Sequence, residues 1–122
     1  MEMKMQRKGL ERIRPALMTF IEQLKPIYGD ALKSVILFGS YARGEERDGS
    51  DIDVLLLLDM TQEEMNRKDE ELCELTFEYE VGHDLEISPV TLTVTEFLRW
   101  RNIHEFLQNV QKDGVTLYDT AA

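Results

Sequence analysis

Apolar residues recur at intervals of three or four positions in three parts of the chain, a spacing that places them on one face of a helix. The first part covers residues 5–28, where the stripe consists of Leu10, Ile13, Leu17, Ile21 and Leu24. Pro15 lies within this stripe, so the helix is predicted either to begin or to kink there. The pattern predicts a long amphipathic helix at the start of the chain.

The other two helical patterns carry their own start signals. Thr61 followed by Glu64 resembles a capping box, and the helix that it opens is predicted to run to about residue 79, with Gly82 beyond its end. Thr95 is predicted to cap a third helix, which extends to about residue 112 and is stopped by Gly114. The stripe of this helix that is predicted to face the core consists of Phe97, Trp100, His104 and Leu107.

Short apolar runs separate the helices and predict strands. Apart from Ser34 and Asp53, residues 34–38 and 52–58 are apolar, as expected of strands that are buried on both faces. Residues 84–92 alternate in polarity and contain Pro89, which indicates an edge strand or a bulge. Residues 41–44 are predicted to form a helical turn, and residues 115–118 a short closing strand. This order predicts an α/β or α+β fold with a small mixed sheet.

Length and composition predict one globular domain that spans residues 1–122. Apolar residues make up 43% of the chain and charged residues 31%, which indicates an ordered rather than a disordered protein. No apolar run approaches the roughly 20 residues of a membrane span, and the charged N-terminal segment lacks a signal-peptide core. We therefore expect a cytoplasmic protein that does not associate with membranes.

The formal net charge of −10 limits the classes of ligand that we expect the protein to bind. Direct binding to nucleic acid is disfavoured, because neutralising its phosphates requires clusters of Lys and Arg. An acidic surface is compatible with divalent cations or with a basic partner protein. Because an acidic surface also simply favours solubility, charge alone does not choose between these interpretations.

Two aspartates, Asp51 and Asp53, stand at the start of the second predicted strand. Because side chains alternate along a strand, both carboxylates point to one face, with Cβ atoms about 6–7 Å apart, and both can reach a common divalent ion. Asp84 and Glu86 share one face of a later predicted strand, and either can supply a third carboxylate. Mg²⁺ is the expected ion, since it binds carboxylate oxygens together with substrate phosphates.

Gly39 and Ser40 follow the first predicted strand and open a turn. A glycine allows a backbone N–H group to approach a ligand closely, and the serine hydroxyl adds a hydrogen-bond donor. Arg43, one helical turn further on, can counter phosphate charge or pair with an aspartate. We also count Ser50, the last residue of the polar loop before Asp51, among the nucleotide-binding candidates. The pattern therefore predicts a phosphate-binding turn next to a metal site.

The stretch FGSYARGEERDGSDIDVLLLL, residues 38–58, combines Gly-Ser, ten intervening residues and Asp-x-Asp before an apolar run. This arrangement resembles the signature of the polymerase-β-like nucleotidyltransferases, and in particular the minimal nucleotidyltransferases (MNT) of bacteria and archaea. The resemblance is strong over residues 35–58 and is compatible with the rest of the chain. It implies a mixed sheet of four or five strands flanked by helices.

The resemblance also implies a reaction, in which a nucleoside monophosphate such as AMP moves to an acceptor hydroxyl and pyrophosphate leaves. It implies that Gly39 and Ser40 grip the terminal phosphates of ATP or another NTP. Asp51 and Asp53 would then bind Mg²⁺, with two ions expected.

A third acid on a later strand would complete the metal site and deprotonate the acceptor hydroxyl. Asp84 and Glu86 compete for this role, and we favour Glu86 because it lies deeper in the predicted strand.

Relatives of this size resemble one half of a two-protein toxin–antitoxin system. The partner is typically a small helical HEPN-domain protein encoded alongside, and in some systems the nucleotidyltransferase silences this RNase by adding AMP to one of its tyrosines. The resemblance thus implies an antitoxin that modifies a HEPN partner, within a homo- or hetero-oligomer. Two alternatives stay open: an inactive MNT fold that neutralises its partner by contact alone, and transfer to a small molecule such as an aminoglycoside.

Overall fold

The computed structural model describes residues 8–120, so residues 5–7 of the first predicted helix lie outside the described residues. In chain order the elements are α1 (Lys8–Tyr28), a 3₁₀ turn (Gly29–Ala31), β1 (Leu32–Phe38), α2 (Ser40–Arg43), β2 (Ile52–Leu58), α3 (Gln62–Arg67), α4 (Asp69–His83), β3 (Ile87–Thr93), α5 (Val94–Trp100), α6 (Glu105–Asp113) and β4 (Val115–Asp119). No helix within residues 8–120 is long and apolar enough to cross a membrane.

The strands form one mixed sheet, which confirms the predicted fold class. The strand order is β3-β2-β1-β4. β1 is antiparallel to both β2 and β4, whereas β2 and β3 are parallel. β2 is therefore an interior strand, and residues 54–58 of it are all buried. The continuous apolar run in this strand follows from its position, because both faces of a central strand are covered.

The two faces of the sheet pack against different helices. The face to which Val54, Leu56 and Leu58 point forms the larger cluster of buried side chains, together with α1, α2, α3 and α4. The face to which Leu55 and Leu57 point packs against α5 and α6. Complete burial of an aliphatic side chain of this size contributes about 1.5–3 kcal/mol, so both layers fix the position of β2 firmly.

The first predicted helix is continuous across its proline. α1 includes Pro15, so the prediction that the helix begins at this residue is wrong. Leu10 and Ile13, on the N-terminal side of the proline, are buried in the larger cluster. Their burial holds this segment in the helix, because tertiary packing of the apolar stripe outweighs local propensity.

The second predicted helix is divided in two. Its start is confirmed, because the hydroxyl oxygen of Thr61 accepts a hydrogen bond from the Glu64 amide at 3.1 Å. α3 and α4 are separated at Lys68. α4 then continues through Gly82 to His83, beyond its predicted end.

The third predicted helix is also interrupted, between Trp100 and Glu105. Side-chain amides of α6 stabilise this break: Gln111 donates to the carbonyl oxygen of Arg101 at 2.7 Å, and Gln108 donates to that of Asn102 at 2.8 Å. Because of this break, the four residues predicted to face the core do not lie on one helix face. Phe97 and Leu107 are buried, whereas Trp100 is 41% exposed and His104 is exposed.

α5 begins earlier than predicted, because Thr93 rather than Thr95 is its N-cap. The Thr93 hydroxyl oxygen accepts a hydrogen bond from the Glu96 amide at 3.1 Å, and the residue is buried. We expect Thr93→Ala to lower the free energy of unfolding by about 1 kcal/mol. Thr95→Ala, at an exposed position, should lower it by less than about 0.5 kcal/mol. Urea denaturation of the two variants measures this difference, and equal losses would contradict the assignment of the cap.

β3 starts at Ile87, later than the predicted strand of residues 84–92. Asp84 adopts φ 55° and ψ 39° and ends α4, so the prediction that Asp84 and Glu86 share one face of a strand is wrong. The extension of α4 to His83 causes the difference, since the chain then needs a tight left-handed turn, which aspartate tolerates better than most residues. Glu86 remains beside β2, because its carbonyl oxygen accepts a hydrogen bond from the Ile52 amide at 2.8 Å.

Candidate functional site

The candidate site lies where the C-terminal end of β1 meets the N-terminal ends of β2 and β3. Asp53 pairs with Phe38 across the β1–β2 ladder and is partly buried. Asp51 is exposed and immediately precedes β2. Because side chains alternate along the strand, both carboxylates point to the face on which Leu55 lies. The structure thus brings the two predicted acids to one end of the central strand, on the side covered by α5 and α6.

Gly39 lies against the carboxylate of Asp53. Its φ of 77° and ψ of −155° belong to a backbone region that is open essentially only to glycine. A Cβ atom built on Gly39 would collide with Oδ2 of Asp53. Ser40 follows as the first residue of α2 and is partly exposed. The predicted phosphate-binding turn and the second aspartate are therefore in direct contact.

Glu86 is the third carboxyl group of the site. A hydrogen bond that the protonated Glu86 side chain can make with Asp51, followed by the negative charges of Asp51 and Glu80, raises the pKa of Glu86. Burial, followed by the charge of Asp51, raises the pKa of Asp53, while the charge of Arg43 lowers it. The negative charge of Asp51 therefore acts on both Asp53 and Glu86.

Asp84 occupies a different position from the one predicted. It ends α4 and lines, with Glu86, a cavity of about 420 Å³ next to α1 and the loop of residues 47–50. Its charge makes the smallest contribution among those that raise the pKa of Glu86. Glu86, rather than Asp84, is thus the acid that contacts Asp51.

The other two predicted nucleotide-binding side chains have partners in the loop itself. The Arg43 guanidinium donates to a carboxylate oxygen of Glu45 at 2.7 Å, an exposed ion pair, rather than to an aspartate. The Ser50 hydroxyl oxygen accepts a hydrogen bond from the Arg47 amide at 2.8 Å and so closes the turn that leads into Asp51. Ser50 therefore shapes the loop, and Arg43 is held by a contact that water can readily replace.

The donor atoms of the site fit a Mg²⁺ ion bound together with a phosphorylated substrate. Among residues 8–120, no three His, Cys, Asp or Glu side chains already form a group that could hold a metal ion. Mg²⁺ does not require one, because it commonly takes one or two protein carboxylates and completes its shell with water and phosphate oxygens. Asp51 and Asp53 supply such carboxylates, with Glu86 beside them. The raised pKa values of Asp53 and Glu86 indicate that added positive charge is favourable here.

Burial of Asp53, the hydrogen bond available to protonated Glu86 and the charge of Asp51 make the stability of the cation-free protein depend on pH. Because the pKa values of Asp53 and Glu86 are raised on folding, the folded state binds more protons than the unfolded state where these groups titrate. Their contribution to the free energy of unfolding is therefore expected to fall as pH rises through that range. Asp53→Asn removes part of the repulsion and is expected to raise stability at neutral pH by about 0.2–1 kcal/mol, and to change it little in acid.

Thermal unfolding in EDTA at several pH values measures this effect. Asp59→Asn is the matched control, because Asp59 is exposed at the opposite end of β2. We expect no comparable stabilisation in this variant. A lower stability of Asp53→Asn than of the wild-type protein at neutral pH would contradict the repulsion.

A second cavity, of about 410 Å³, lies on the other side of the Asp51–Glu86 pair, between β3 and α4. Its lining includes Ser88 of β3 and Phe77 of α4, for which the sequence suggested no role. Ser88 could have been found from strand alternation, because it lies two residues after Glu86 and pairs with Asp53. Phe77 could not, because only the packing of α4 brings it to the site.

Comparisons with known proteins identify the family of this chain. Residues 17–113 match the family described as "Nucleotidyltransferase domain", a range that includes the Gly-Ser turn and all three acids. The "Putative protein adenylyltransferase MJ1305" of Methanocaldococcus jannaschii is 29% identical over 100 residues, which cover 82% of this chain and 67% of the relative.

Two solved structures share the fold. A chain in the crystal structure of a mutant of the toxin–antitoxin MntA–HpeT is 25% identical, with a TM-score of 0.54, over 83% of this chain and 72% of that chain. A chain in a crystal structure of a toxin–antitoxin with AMP-PNP is 26% identical, with a TM-score of 0.55, over 84% and 73% of the two chains.

Proposed function

Because this chain belongs to the nucleotidyltransferase domain family and is a nucleotidyltransferase, we propose that it transfers AMP from ATP to a hydroxyl group of a protein. We further propose that the acceptor is a tyrosine of a HEPN-domain partner, for which the chain serves as antitoxin. The relative named as a protein adenylyltransferase supports the reaction. The toxin–antitoxin structures, one of them with AMP-PNP, support the nucleotide and the protein partner.

One observation carries the proposal: Asp51, Asp53 and Glu86 meet at the ends of β1, β2 and β3, with Gly39 against the Asp53 carboxylate. Placing Asp53 and Glu86 on either side of Asp51, beside a glycine that leaves no room for a Cβ atom, is costly for a domain that only needs to fold. These residues suit a site that binds cations and phosphate groups.

The turn after β1 is proposed to hold the terminal phosphates. Gly39 allows backbone amides to approach phosphate oxygens, and the Ser40 hydroxyl can donate to them. Arg43 leaves Glu45 at little cost, because exposed ion pairs contribute only about 0–1 kcal/mol, and it can then turn toward the triphosphate. Ser50 acts by fixing the loop that leads into the acids.

Asp51 and Asp53, with Glu86 as the third carboxylate, are the residues that would hold Mg²⁺, and a pair of ions fits a set of three acids. When bound, Mg²⁺ offsets the charge of the triphosphate and lowers the pKa of a hydroxyl that it contacts.

The proposed reaction forms a bond from the acceptor oxygen to the α-phosphorus and breaks the bond from that phosphorus to the bridging oxygen, so that pyrophosphate leaves. Glu86 accepts the proton of the acceptor hydroxyl. Its raised pKa makes this carboxylate a stronger base than an ordinary glutamate. Positioning and charge stabilisation supply most of the lowering of the barrier, as in other phosphoryl transfers.

The test is to incubate the protein with ATP, MgCl₂ and a candidate HEPN-domain partner, and to weigh both chains by mass spectrometry. We expect the HEPN chain to gain one or more AMP units on a tyrosine, and to gain none in EDTA. An unshifted mass in a tight complex would instead identify an antitoxin that acts by contact alone. Parallel reactions with GTP, CTP and UTP test the choice of ATP.

A further inference from the structure

Helix α4 carries apolar side chains on two opposite faces. Leu72, Leu75 and Tyr79 are buried against the rest of the fold. On the outer side, Phe77 is 64% exposed and Val81 is 69% exposed. A helix that only covered a sheet would present charged or polar residues there, so the outer apolar side chains need another explanation.

The exposed apolar residues of α4 form a continuous ridge. Cys73, Phe77 and Val81 follow one another at intervals of four residues, which brings successive side chains into contact along about 12 Å of helix. Cys73 is exposed as well. We call these three residues the outer ridge.

Acidic side chains border the outer ridge on both sides. The exposed residues Glu70, Glu74 and Glu78 repeat at the same interval of four along one side, and the exposed Glu80 lies on the other. Within the described part of the chain none of these four glutamates forms an ion pair with a Lys, Arg or His side chain. The surface is thus apolar in the middle and negatively charged at its borders.

The outer ridge adjoins the candidate active site. Cys73, Phe77 and Glu80 line the cavity of about 410 Å³ whose other wall includes Asp51 and Glu86. A segment that covered the ridge would therefore have residues within reach of the acid proposed to take the acceptor proton.

We propose that the outer ridge is the docking surface for the acceptor protein, and that the segment it binds is a helix with an apolar centre and basic borders. This inference rests on the proposed function, because it requires a protein acceptor. Charge complementarity selects the partner: basic residues would meet the unpaired glutamates, which favours correct orientation and rapid association. A second copy of this chain is disfavoured, because a symmetric contact would set glutamates of one ridge against those of the other.

The experiment uses two synthetic amphipathic helical peptides as probes. Both contain one tyrosine and a stripe of leucines at intervals of four; one has lysines beside the stripe and the other has glutamates. Each is titrated into the ¹⁵N-labelled protein without ATP. We expect the lysine peptide to bind, with chemical-shift changes on α4 and around the cavity, and the glutamate peptide not to bind.

Variants identify the side chains responsible. Phe77→Ala/Val81→Ala is expected to weaken binding of the lysine peptide at least about tenfold, as exposed aromatic anchors do, and to leave the protein folded. Leu98→Ala/Ile103→Ala is the matched control, since these residues are 59% and 71% exposed outside α4. This control variant should leave the affinity for the lysine peptide unchanged.

Three results would overturn the inference: equal binding by the two double variants, shift changes away from α4, or self-association through the outer ridge in sedimentation experiments. Since binding is measured without turnover, docking can be judged whether or not AMP is transferred. Docking on α4 without transfer to any protein would refute the proposed function and leave the docking surface in place.

Discussion

Replacing both Asp51 and Asp53 by asparagine is expected to reduce AMP transfer at least about a thousandfold and to leave the protein folded. Loss of a single preorganised group that stabilises charge already costs about a hundred- to a thousandfold in other enzymes, and this variant loses two. Asparagine retains the size of aspartate but removes the charge that attracts a divalent ion. The charge of Asp51 repels both Asp53 and Glu86, so the variant should unfold at the same temperature as the wild-type protein or at a higher one in EDTA.

The measurement is the initial rate of AMP incorporation over a range of MgCl₂ concentrations, with unfolding temperatures taken in parallel. Asp59→Asn serves again as the control, because it removes a carboxylate from the far end of the same strand. Its rate should stay within about twofold of the wild-type rate. Retention of Mg²⁺-dependent transfer by the double variant would refute the assignment of the ion site.

Gly39→Ala is expected to abolish detectable transfer and to destabilise the protein by about 1–3 kcal/mol, the usual cost of a strained backbone conformation. The added methyl group would meet Oδ2 of Asp53, so either this carboxylate or the turn after β1 must move. Either movement separates the turn from the acid. Misplacement of a reacting group by about 1 Å can reduce a rate a hundredfold.

Gly29→Ala distinguishes the effect of backbone strain from the effect of a collision with a neighbouring side chain. Gly29 also has a positive φ, of 58°, but a Cβ atom there meets nothing within 4 Å. We expect this variant to lose stability, as Gly39→Ala does, while its rate of transfer at a temperature where both variants are folded stays near the wild-type value. If the two variants lose activity equally, the contact between Gly39 and Asp53 has no special role.

The sequence predicted much of the fold because its signals are local and repeated. The continuous apolar run of residues 54–58 indicated a central strand, and the threonine at position 61 marked a helix start that the structure confirms. The predictions of helix boundaries were wrong where tertiary contacts determine the course of the chain. Gln108 and Gln111 stabilise a break that no periodicity reveals. Burial of Leu10 and Ile13 stabilises the part of α1 that precedes Pro15, so the helix is continuous across the proline.

The candidate site could be predicted in part for the same reason. Asp51 and Asp53 are two residues apart, so their common face follows from strand geometry alone. The contact of Gly39 with Asp53 depends on the pairing of β1 with β2, which the sequence does not specify. The choice between Asp84 and Glu86 required the end point of α4, and element boundaries are the least certain part of any pattern. Phe77 came to the site only through the packing of a helix onto the sheet.

Glu86 owes its place to the parallel alignment of Ile52 with Ile87, and to the bond from the Ile52 amide, rather than to the helix that precedes it. We therefore expect a residue inserted between Asp84 and Leu85 to displace Glu86, the proposed base, less than a change in the paired strands would. A deletion within β2 itself would instead turn every later side chain of that strand to the opposite side. A change of acceptor specificity is therefore better engineered at residues 84 and 85 than within the paired strands β2 and β3.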